Sequence, residues 1–462
     1  MKQLLPFLCL LFAISASAAD KPNFILIFTD DQGYNDIGVF GAPKIKTPHL
    51  DNMAKEGMKF TDFYSASPVC STSRAALLTG RYPNRNGIRS VLFPRKGTQG
   101  LHPYEITIAE VLKEVGYATA AVGKWHIGHL DEHLPTNQGF DSYYGIPYSN
   151  DMWLAPDLKI AKDVQLNNGY TIEKVKEEQA KGKGPRNLVP VIRDTEVVEY
   201  PSDQTQLTKN YTEESIKFIN ENKDKPFFLY LAHTMPHIPL FASKEFKGKS
   251  EGGPYGDTIE EIDWSVGQIL DTLKKLKLDK KTIVIFTSDN GPWKLSGGRG
   301  GSAYPLKGYK FSTNEGGQRV PTVMWGPGNI PAGSECKEVA GTIDMLPTIA
   351  KWAGSTAPQD RVVDGRDIAP LMRGETGAKS PHEAYFYLKA GGINVEAVRV
   401  GDFKYTKKKE LYNLREDISE ANNIIANHPE KAESMAKLIS EFAAEMKADI
   451  DKRSKIINKG GE

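Results

Sequence analysis

Three apolar segments, each followed by polar residues of the kinds that bind metals and anions, constrain the fold of this chain more than any other feature. The segments and their followers are Asn23–Thr29 with Asp30 and Asp31, Phe227–Ala232 with His233, and Thr282–Thr287 with Asp289, Asn290 and Gly291. Continuous apolar runs are typical of parallel strands that are buried on both faces. Because ligands bind at the carboxyl ends of such strands, we expect these polar residues to meet at one sheet edge.

Helical patterns lie between the apolar runs. Apolar residues recur at helical spacing in Thr107–Val115, Tyr211–Asn222 and Thr258–Leu276. Alternating strands and helices predict an α/β fold, with a large, mixed and mostly parallel sheet between layers of helices. At 462 residues, 39% of them hydrophobic, the chain is long enough for one such domain and a smaller second one.

The sequence pattern changes after about Gly374. Short antiparallel strands are predicted at Tyr385–Leu388, Glu396–Val400 and Phe403–Thr406, and an amphipathic helix at Pro429–Met446. We therefore predict a large domain over residues 20–374 and a small α+β subdomain over residues 375–462. The polar segment 157–205 lacks sustained periodicity, so we expect an inserted loop region or a short hairpin over the site.

The first nineteen residues have the features of a secretory signal peptide. Lys2 precedes an apolar run from Leu4 to Ile14, and the small residues at positions 16–19 follow it. The run is too short for a membrane anchor, so we expect cleavage and residence in the periplasm or outside the cell. Loss of Cys9 with the signal would leave two cysteines, and conversion of one of them would leave no disulfide.

The charge balance limits the classes of partner. The formal net charge is +1, which gives no whole-molecule field for capturing nucleic acid. We therefore expect no nucleic-acid partner, and any attraction for polyanions must come from a local patch.

Paired carboxylates after the first strand indicate a metal site. Asp30 and Asp31 would repel one another unless a cation or a proton intervened, and Asp289 with Asn290 supplies further oxygen ligands from another strand end. A hard divalent cation resolves the repulsion. Such pairs also occur on solvated turns, but here both groups follow buried strands.

The stretch from Cys70 to Arg81 reads Cys-Ser-Thr-Ser-Arg-Ala-Ala-Leu-Leu-Thr-Gly-Arg. It resembles the signature of the type I sulfatases of the alkaline phosphatase superfamily, with Thr72 where that family usually has Pro or Ala. The sequence motifs most resemble those of the arylsulfatase A and N-acetylgalactosamine-6-sulfatase branch, and motif matches extend over residues 23–328. A helix beginning just after Cys70 would direct backbone N–H groups toward the site, which favours an anion such as sulfate.

The resemblance implies a nucleophile, a metal and a maturation step. In the family the cysteine is oxidised to formylglycine (3-oxoalanine), whose hydrated aldehyde attacks sulfur with one hydroxyl and later expels sulfate with the help of the other. The ion would be calcium, held by Asp30, Asp31, Asp289, Asn290 and the modified Cys70. The expected partners are a sulfated saccharide and a formylglycine-generating or anaerobic maturation enzyme.

The resemblance also assigns roles to five further side chains. Arg74, one helical turn after Cys70, would hold the diol or neutralise the metal-site carboxylates. Lys124 and His126, from Gly-Lys-Trp-His-Ile-Gly, would contact sulfate and assist its elimination. His237 would contact the sulfate and the leaving oxygen. Lys310 would contact sulfate and share in protonating the departing alcohol.

The sequence signals for residues that would bind the sugar are less specific. Lys307 is a rival for the role of Lys310, and Ser149 matches a substrate-side serine of the family. His233 is predicted to be a residue behind the site, a pocket residue or an ordinary core histidine. The remaining candidates combine rings that can stack on a sugar with hydrogen-bonding groups: Arg95, His129, Asn150, Asp151, Trp153, Trp293 and Arg299.

The resemblance thus implies calcium-dependent hydrolysis of a sulfate ester on a carbohydrate, by a secreted bacterial enzyme acting on polysaccharide-derived sugars. Two alternatives stay open at this point. A phosphonate or phosphodiester hydrolase of the same superfamily would use the same tetrahedral-anion site, and a sulfated-glycan binding protein would keep the pocket without converting Cys70. The sugar, the sulfate position and the oligomeric state are open.

Overall fold

The structure is a computed structural model and describes residues 21–295, 297, 299–389, 391 and 394–459. The predicted signal peptide, with Cys9, lies outside these residues. Among the residues described, none of the helices combines the length and the apolar character needed to cross a membrane.

A large mixed sheet forms the centre of the molecule, and its strands are numbered in chain order. Across the described sheet they are β12 (Ser334–Cys336), β2 (Met58–Phe60), β11 (Thr322–Trp325), β10 (Thr282–Ser288), β1 (Asn23–Thr29), β9 (Phe227–Ala232), β4 (Ala118–Gly123), β5 (Ser142–Gly145), β7 (Val191–Arg193), β8 (Glu196–Tyr200) and β6 (Lys159–Leu166). A short parallel pair joins β3 (Phe63–Tyr64) to β13 (Ala340–Gly341).

The three apolar runs of the sequence are the adjacent central strands β9, β1 and β10. They pair in parallel, with Thr29 opposite Ser288 and Phe28 opposite Ala232, so their carboxyl ends lie side by side. The prediction of one shared sheet edge is confirmed. Antiparallel pairing appears away from the centre, between β10 and β11 and between β5 and β7.

Helices cover both faces of the sheet. Their bounds are α1 (Pro48–Glu56), α2 (Cys70–Thr79), α3 (Pro83–Asn86), α4 (Ile108–Glu114), α5 (Ile172–Lys181), α6 (Leu207–Glu221), α7 (Gly253–Lys275), α8 (Glu315–Gln318), α9 (Met345–Trp352), α10 (Ala369–Met372) and α11 (Pro429–Lys459). Side chains of β1 alternate between two apolar cores, Leu26 packing with α2, α4 and α9 and Ile27 with α1, α6 and α7. The predicted α/β class is confirmed.

The segment 157–205 contains the predicted short hairpin, formed by β7 and β8, but it is not an isolated loop region. Strands β6, β7 and β8 extend the main sheet at one edge, and α5 packs beside them. Val175 of α5 and Val197 of β8 are fully buried, so isolated apolar residues carry the packing. Because each element buries only a few side chains, no sustained period appears in the sequence.

A four-stranded antiparallel sheet and a long helix form the C-terminal part. The strands are β14 (Tyr385–Lys389), β15 (Asn394–Val400), β16 (Phe403–Thr406) and β17 (Glu410–Asn413), in that spatial order. Helix α11 runs thirteen residues past its predicted end at Met446. Ile450 continues the apolar face there, and ion pairs add to it, because Asp449 pairs with Arg81 and Arg453 with Glu105.

Candidate active site

Helix α2 begins at Cys70 and points its amino-terminal end at the carboxyl edge of the sheet. The Cys70 side chain is 1% exposed. The Thr72 hydroxyl in the first turn donates to the carbonyl of Val69 at 2.9 Å and lies 2.6 Å from the hydroxyl of Ser67, from which it can accept, so it is held by the turn that precedes the helix. Burial raises the pKa of the Cys70 thiol, although the charges of Lys124 and Lys310 oppose that shift.

Carboxylates from the two strand ends meet beside this helix. The backbone N–H of Asp31 donates to Asp289 Oδ1 at 3.1 Å, and Asn290 Nδ2 donates to Asp31 Oδ1 at 2.7 Å. Asp30, Asp31, Asp289 and Asn290 are all at most 2% exposed. Burial, together with the charge of Asp30, raises the pKa of Asp289 to about 7.

Three side-chain cations surround the carboxylates. Arg74 donates from Nε and Nη2 to Asp289 Oδ2 at 3.1 and 2.8 Å and from Nη1 to the carbonyl of Lys124 at 3.0 Å. Lys124 Nζ forms an ion pair with Asp30, and Lys310 Nζ donates to Asp31 Oδ2 at 2.8 Å. Burial works against the charged form of Lys310, yet Asp31 raises its pKa above the ordinary value.

His237 completes this group, called the catalytic cluster below. The cluster consists of Asp30, Asp31, Cys70, Arg74, Lys124, His237, Asp289, Asn290 and Lys310. Nδ1 of His237 faces two acceptors, the carbonyl of Ile238 at 2.6 Å and Asn150 Oδ1 at 3.1 Å. Nδ1 therefore carries the hydrogen, which leaves Nε2, 3.6 Å from Asp31 Oδ2, on the side of the carboxylates.

The donor set of the cluster fits a hard divalent cation. Among the described residues, Asp30 Oδ1 and Asn290 Oδ1 are buried oxygens without a hydrogen-bond partner. Asp30, Asp31 and His237 also offer ligand atoms within 4.8 Å of one another. Buried oxygens normally find a donor or a metal, and carboxylate and amide oxygens are the ligands that Ca²⁺ prefers.

His126 and Ser149 lie against the same cluster. Ser149 Oγ accepts from Lys124 Nζ at 3.1 Å and lies 3.3 Å from His237 Nδ1. His126 has φ +63°, Nε2 lies 3.0 Å from the carbonyl of Leu92, and Nδ1 is buried without a partner in the described structure. Burial, with the charge of Lys124, lowers the pKa of His126 well below its ordinary value.

Several sugar-pocket candidates lie elsewhere. His233 packs in the core with its ring 6.4 Å from that of Tyr211, and its Nε2 is 3.4 Å from Ser265 Oγ of α7, so the core alternative fits and the pocket alternative does not. The expectation that Trp153 stacks on a sugar is wrong in the described structure. Its ring is 4% exposed and lies 6.4 Å from that of Phe93.

Two further candidates serve the local structure. His129 Nδ1 lies 2.6 Å from the hydroxyl of Tyr148 and is 1% exposed. Arg95 is exposed and lies over the ring of Phe93, with 5.2 Å between the guanidinium and the ring centroid. Among the residues described, neither side chain forms a hydrogen bond, an ion pair or a ring contact with the catalytic cluster.

The other candidates lie near His237. Asn150 orients the imidazole as described, and its Nδ2 donates to the carbonyl of Pro239 at 2.8 Å. Asp151, Trp293 and Arg299 line one cleft beside the cluster. The Trp293 ring centroid is 5.7 Å from that of His237.

A second buried charge group, which the sequence did not reveal, holds the loop that carries Lys310. This Glu315 cluster consists of Glu315, Lys404, Glu420, Tyr64 and Tyr387. Lys404 Nζ donates to Glu315 Oε1 at 3.0 Å and to the carbonyl of Thr313 at 2.9 Å. Glu420 Oε2 accepts from the N–H of Glu315 at 2.8 Å. Lys404 lies on a short strand with no local motif. The Glu-Gly-Gly that follows Lys310 is therefore the one sequence signal that could have indicated the Glu315 cluster.

Glycine in that Glu-Gly-Gly lets the loop approach the strand end that carries Asn290. A Cβ atom on Gly291 would lie 1.8 Å from the carbonyl oxygen of Gly316, and one on Gly317 would lie 1.9 Å from that of Ser312. Side chains cannot be accommodated at such distances, so the sequence requires glycine where the loop meets Asn290.

Comparisons with known proteins agree with this geometry. The sulfatase family model matches residues 22–355, and a model of the C-terminal region of N-sulphoglucosamine sulphohydrolase matches residues 309–449. N-acetylgalactosamine-6-sulfatase of Homo sapiens is 34% identical over 469 residues, covering 92% of this chain and 86% of that protein. Steryl-sulfatase of Homo sapiens is 37% identical over 445 residues, covering 84% and 76%.

A solved structure gives the same result. The crystal structure of Ps i-CgsB in complex with k-i-k-neocarrahexaose has a TM-score of 0.78 and 32% identity, covering 92% of this chain and 93% of that one. These matches favour the sulfatase prediction over a phosphonate or phosphodiester hydrolase and over a non-catalytic binding protein. With the convergence of the strand ends on Cys70, they show that the chain belongs to the type I sulfatase family of the alkaline phosphatase superfamily and is a sulfuric ester hydrolase.

Proposed function

We propose that this protein hydrolyses a sulfate ester on a carbohydrate, using formylglycine made from Cys70 and one calcium ion. The observation that carries the proposal is the convergence of two acidic strand ends, the start of α2 and three side-chain cations on one buried point. The formal charges of Asp30, Asp31 and Asp289 are balanced there by those of Arg74, Lys124 and Lys310. A bound divalent cation would therefore give the site a net positive charge that favours sulfate.

The residues for the metal and the modified side chain are those expected from the sequence. Asp30, Asp31, Asp289 and Asn290 would hold the calcium ion, with one oxygen from position 70. When bound, the ion lowers the pKa of an attacking hydroxyl and orients the sulfate. Arg74 fixes Asp289 through two hydrogen bonds, which keeps that carboxylate in place for a ligand.

The remaining side chains of the cluster would bind the anion and assist the leaving group. Lys124 and Lys310 would balance the charge of sulfate, since both ammonium groups lie against the metal-site carboxylates. The acceptors at Nδ1 fix the imidazole of His237, so Nε2, which lies 3.4 Å from Ser149 Oγ, would carry and donate the proton for the leaving oxygen when the imidazole is protonated.

A carbohydrate substrate is proposed from the relatives. One relative is named for a sulfated amino sugar, and the structural neighbour was solved with a carrageenan-type oligosaccharide. The predicted signal at residues 1–19 supports secretion to the periplasm or beyond, and position 70 requires a formylglycine-generating or anaerobic maturation enzyme. We propose these together as the setting in which the enzyme acts.

The test compares nitrophenyl sulfate with nitrophenyl phosphate and measures the state of Cys70. Mass spectrometry of the tryptic peptide covering residues 60–74, from protein made in its native host, should find the aldehyde in place of the thiol. We expect faster turnover of the sulfate. Faster phosphate cleavage, or a retained thiol in active native protein, would contradict the proposal.

His237→Ala tests the role at the leaving group. We expect kcat for an alkyl or sugar sulfate to fall about a hundredfold and kcat for nitrophenyl sulfate to fall far less, because nitrophenolate leaves without a proton. His233→Ala is the matched control, since this histidine packs in the core. It should lower stability without changing the ratio of the two rates. Equal losses of kcat on both substrates in His237→Ala would show that His237 does not assist the leaving group.

A further inference from the structure

His126 presents one free ring nitrogen beside the catalytic cluster. Its Nε2 lies 3.0 Å from the carbonyl of Leu92, and a carbonyl only accepts, so Nε2 carries the hydrogen of the neutral imidazole. Nδ1 therefore keeps its lone pair, and within the described residues this buried nitrogen has no hydrogen-bond partner. Burial lowers the pKa of His126, and the nearby charges of Lys124 and Arg74 lower it further, which favours the neutral ring.

The backbone and a neighbouring ring also fix the imidazole. His126 has φ +63°, a left-handed conformation that is uncommon for a residue with a Cβ, and its N–H donates to the carbonyl of Pro147 at 3.1 Å. Its ring meets that of Tyr148 edge-on, with centroids 5.7 Å apart. Strain of this kind persists only where the surroundings impose it, so the contacts of the ring set the direction of Nδ1.

The carbonyl that accepts from Nε2 belongs to a segment without regular secondary structure. Such a segment depends on side chains for its backbone hydrogen bonds. The N–H of Leu92 donates to Ser71 Oγ at 3.0 Å. Ser71 is fully buried in the first turn of α2, directly after Cys70. The turn that carries the nucleophile position therefore also holds the residue that orients His126.

Trp153 holds the same segment from its other end. Its Nε1 donates to the carbonyl of Pro94 at 3.0 Å, and its ring stacks on that of Phe93, with an angle of 23° between the planes. Leu92, Phe93 and Pro94, called the Leu92 segment below, are thus anchored at both ends by buried side chains. This contact accounts for the burial of an indole that lies away from the sugar.

We propose that Ser71 and Trp153 are positioning residues, which hold the Leu92 segment so that its carbonyl keeps the hydrogen of His126 on Nε2. Nδ1 then stays available to accept the proton that is given up when sulfate is released. Without either anchor the carbonyl of Leu92 shifts, and the hydrogen distributes between the two ring nitrogens. This inference rests on the proposed function and adds how one of its side chains is oriented.

Nitrogen NMR shows directly which ring nitrogen carries the hydrogen. Protein labelled with ¹⁵N-histidine is compared with His126→Asn, which identifies the His126 signals whether or not position 70 is converted. Wild type should carry the hydrogen on Nε2, and in Ser71→Ala the two nitrogen shifts should move toward each other. Ser215→Ala is the matched control, because this serine of α6 is equally buried and its hydroxyl has no partner in the described structure. A wild-type hydrogen on Nδ1, or unchanged shifts in Ser71→Ala, would overturn the proposal.

Kinetics with nitrophenyl sulfate separate release of sulfate from cleavage of the ester. Rates are normalised to the aldehyde content of position 70, measured by mass spectrometry. In Ser71→Ala we expect kcat to fall about tenfold while kcat/KM changes less than about twofold, because kcat/KM covers the steps only through ester cleavage. A burst of about one nitrophenol per converted site should precede the slow phase. A merely structural defect would lower kcat and kcat/KM together.

Trp153→Phe tests the second anchor and carries the test if Ser71→Ala fails to fold or mature. It removes the donor to Pro94 but keeps a ring against Phe93, so we expect the same pattern with a loss of about threefold in kcat. Equal losses of kcat and kcat/KM in the variants that fold would overturn the proposal. Failure of wild type to turn over nitrophenyl sulfate would instead contradict the proposed function.

Discussion

The catalytic cluster and the Glu315 cluster lie on either side of the loop that carries Lys310, and they treat buried carboxylates in opposite ways. In the described structure every oxygen of Glu315 and Glu420 accepts a hydrogen bond or an ion pair, from Tyr64, Tyr387, Asn314 or Lys404 among others. In the catalytic cluster, Asp30 Oδ1 and Asn290 Oδ1 have no such partner.

The pKa values of Glu315 and Asp289 differ in the same sense, although in the catalytic cluster Lys124 and the neighbouring cations outweigh burial and lower the pKa of Asp30. Burial alone would raise the pKa of Glu315, but Lys404 and Arg319 lower it to about 2. Burial and Asp30 raise the pKa of Asp289 to about 7. A satisfied cluster stabilises the fold, whereas an unsatisfied one is ready to take a ligand. The comparison therefore predicts that mutations in the catalytic cluster change activity and that mutations in the Glu315 cluster change stability.

The largest effect is expected for Cys70→Ala. Turnover of nitrophenyl sulfate should fall by at least about 10⁴-fold, because the nucleophile is removed. The free energy of unfolding should change by only about 1 kcal/mol, since a small buried side chain becomes slightly smaller.

Cys336→Ala is the control for this prediction. Cys336 is also buried, but it lies on β12 at the far edge of the sheet, so turnover should be kept. Residual activity in Cys70→Ala above that of a mock preparation would show that another group attacks sulfur.

Removal of the metal should have the next largest effect. A chelator should lower activity about a thousandfold, which is the several kcal/mol that a metal supplies to a charged transition state, and calcium should restore it. Added calcium should also raise the melting temperature, because it binds the folded protein only. Full activity after exhaustive chelation, with no change in melting temperature, would exclude a metal bound by Asp30 Oδ1 and Asn290 Oδ1.

Much of the catalytic cluster could be predicted from the sequence. The three strands with polar ends, and the motifs around Cys70 and Lys124, predicted which segments converge, because both signals are local in the chain. The paired Asp30 and Asp31 predicted a cation for the same reason. The catalytic cluster is thus built from residues adjacent to recognisable elements.

The Glu315 cluster could not be predicted in this way. Lys404 lies 89 residues from Glu315 in the sequence, on a strand whose neighbours give no sign that an ammonium group is fully buried. The edge strands β6 to β8 were missed for a related reason, since their few buried side chains show no period. Contacts between distant segments decide both cases, and a single sequence does not report them.

Lys404→Met tests the structural half of the comparison. It should cost about 3–5 kcal/mol in the free energy of unfolding, because it leaves Glu315 and Glu420 buried without their shared cation. Lys437→Met, on α11, removes an ammonium group that is 75% exposed and pairs with Glu441. That control should cost less than about 1 kcal/mol.

Urea unfolding measures both variants, and the milder Glu420→Gln gives the same direction if Lys404→Met does not fold. Equal stability of Lys404→Met and wild type would show that the cluster is not a structural anchor. A changed calcium requirement in a stable Lys404→Met protein would show that the two clusters are not separate.

The smallest effect concerns pH and again separates the clusters. The pKa of Glu315 is lowered on folding, from 4.5 to about 2, so its contribution to stability is complete above 4.5 and is lost as the pH falls toward 2. Between pH 7 and about pH 3, wild type should therefore lose about 2 kcal/mol more than Glu315→Gln, which has no proton to bind there. Urea unfolding of both proteins at fixed calcium measures the difference. Parallel pH profiles would mean that folding leaves the pKa of Glu315 unchanged, and the contrast between a satisfied and an unsatisfied cluster would then fail at its best-paired residue.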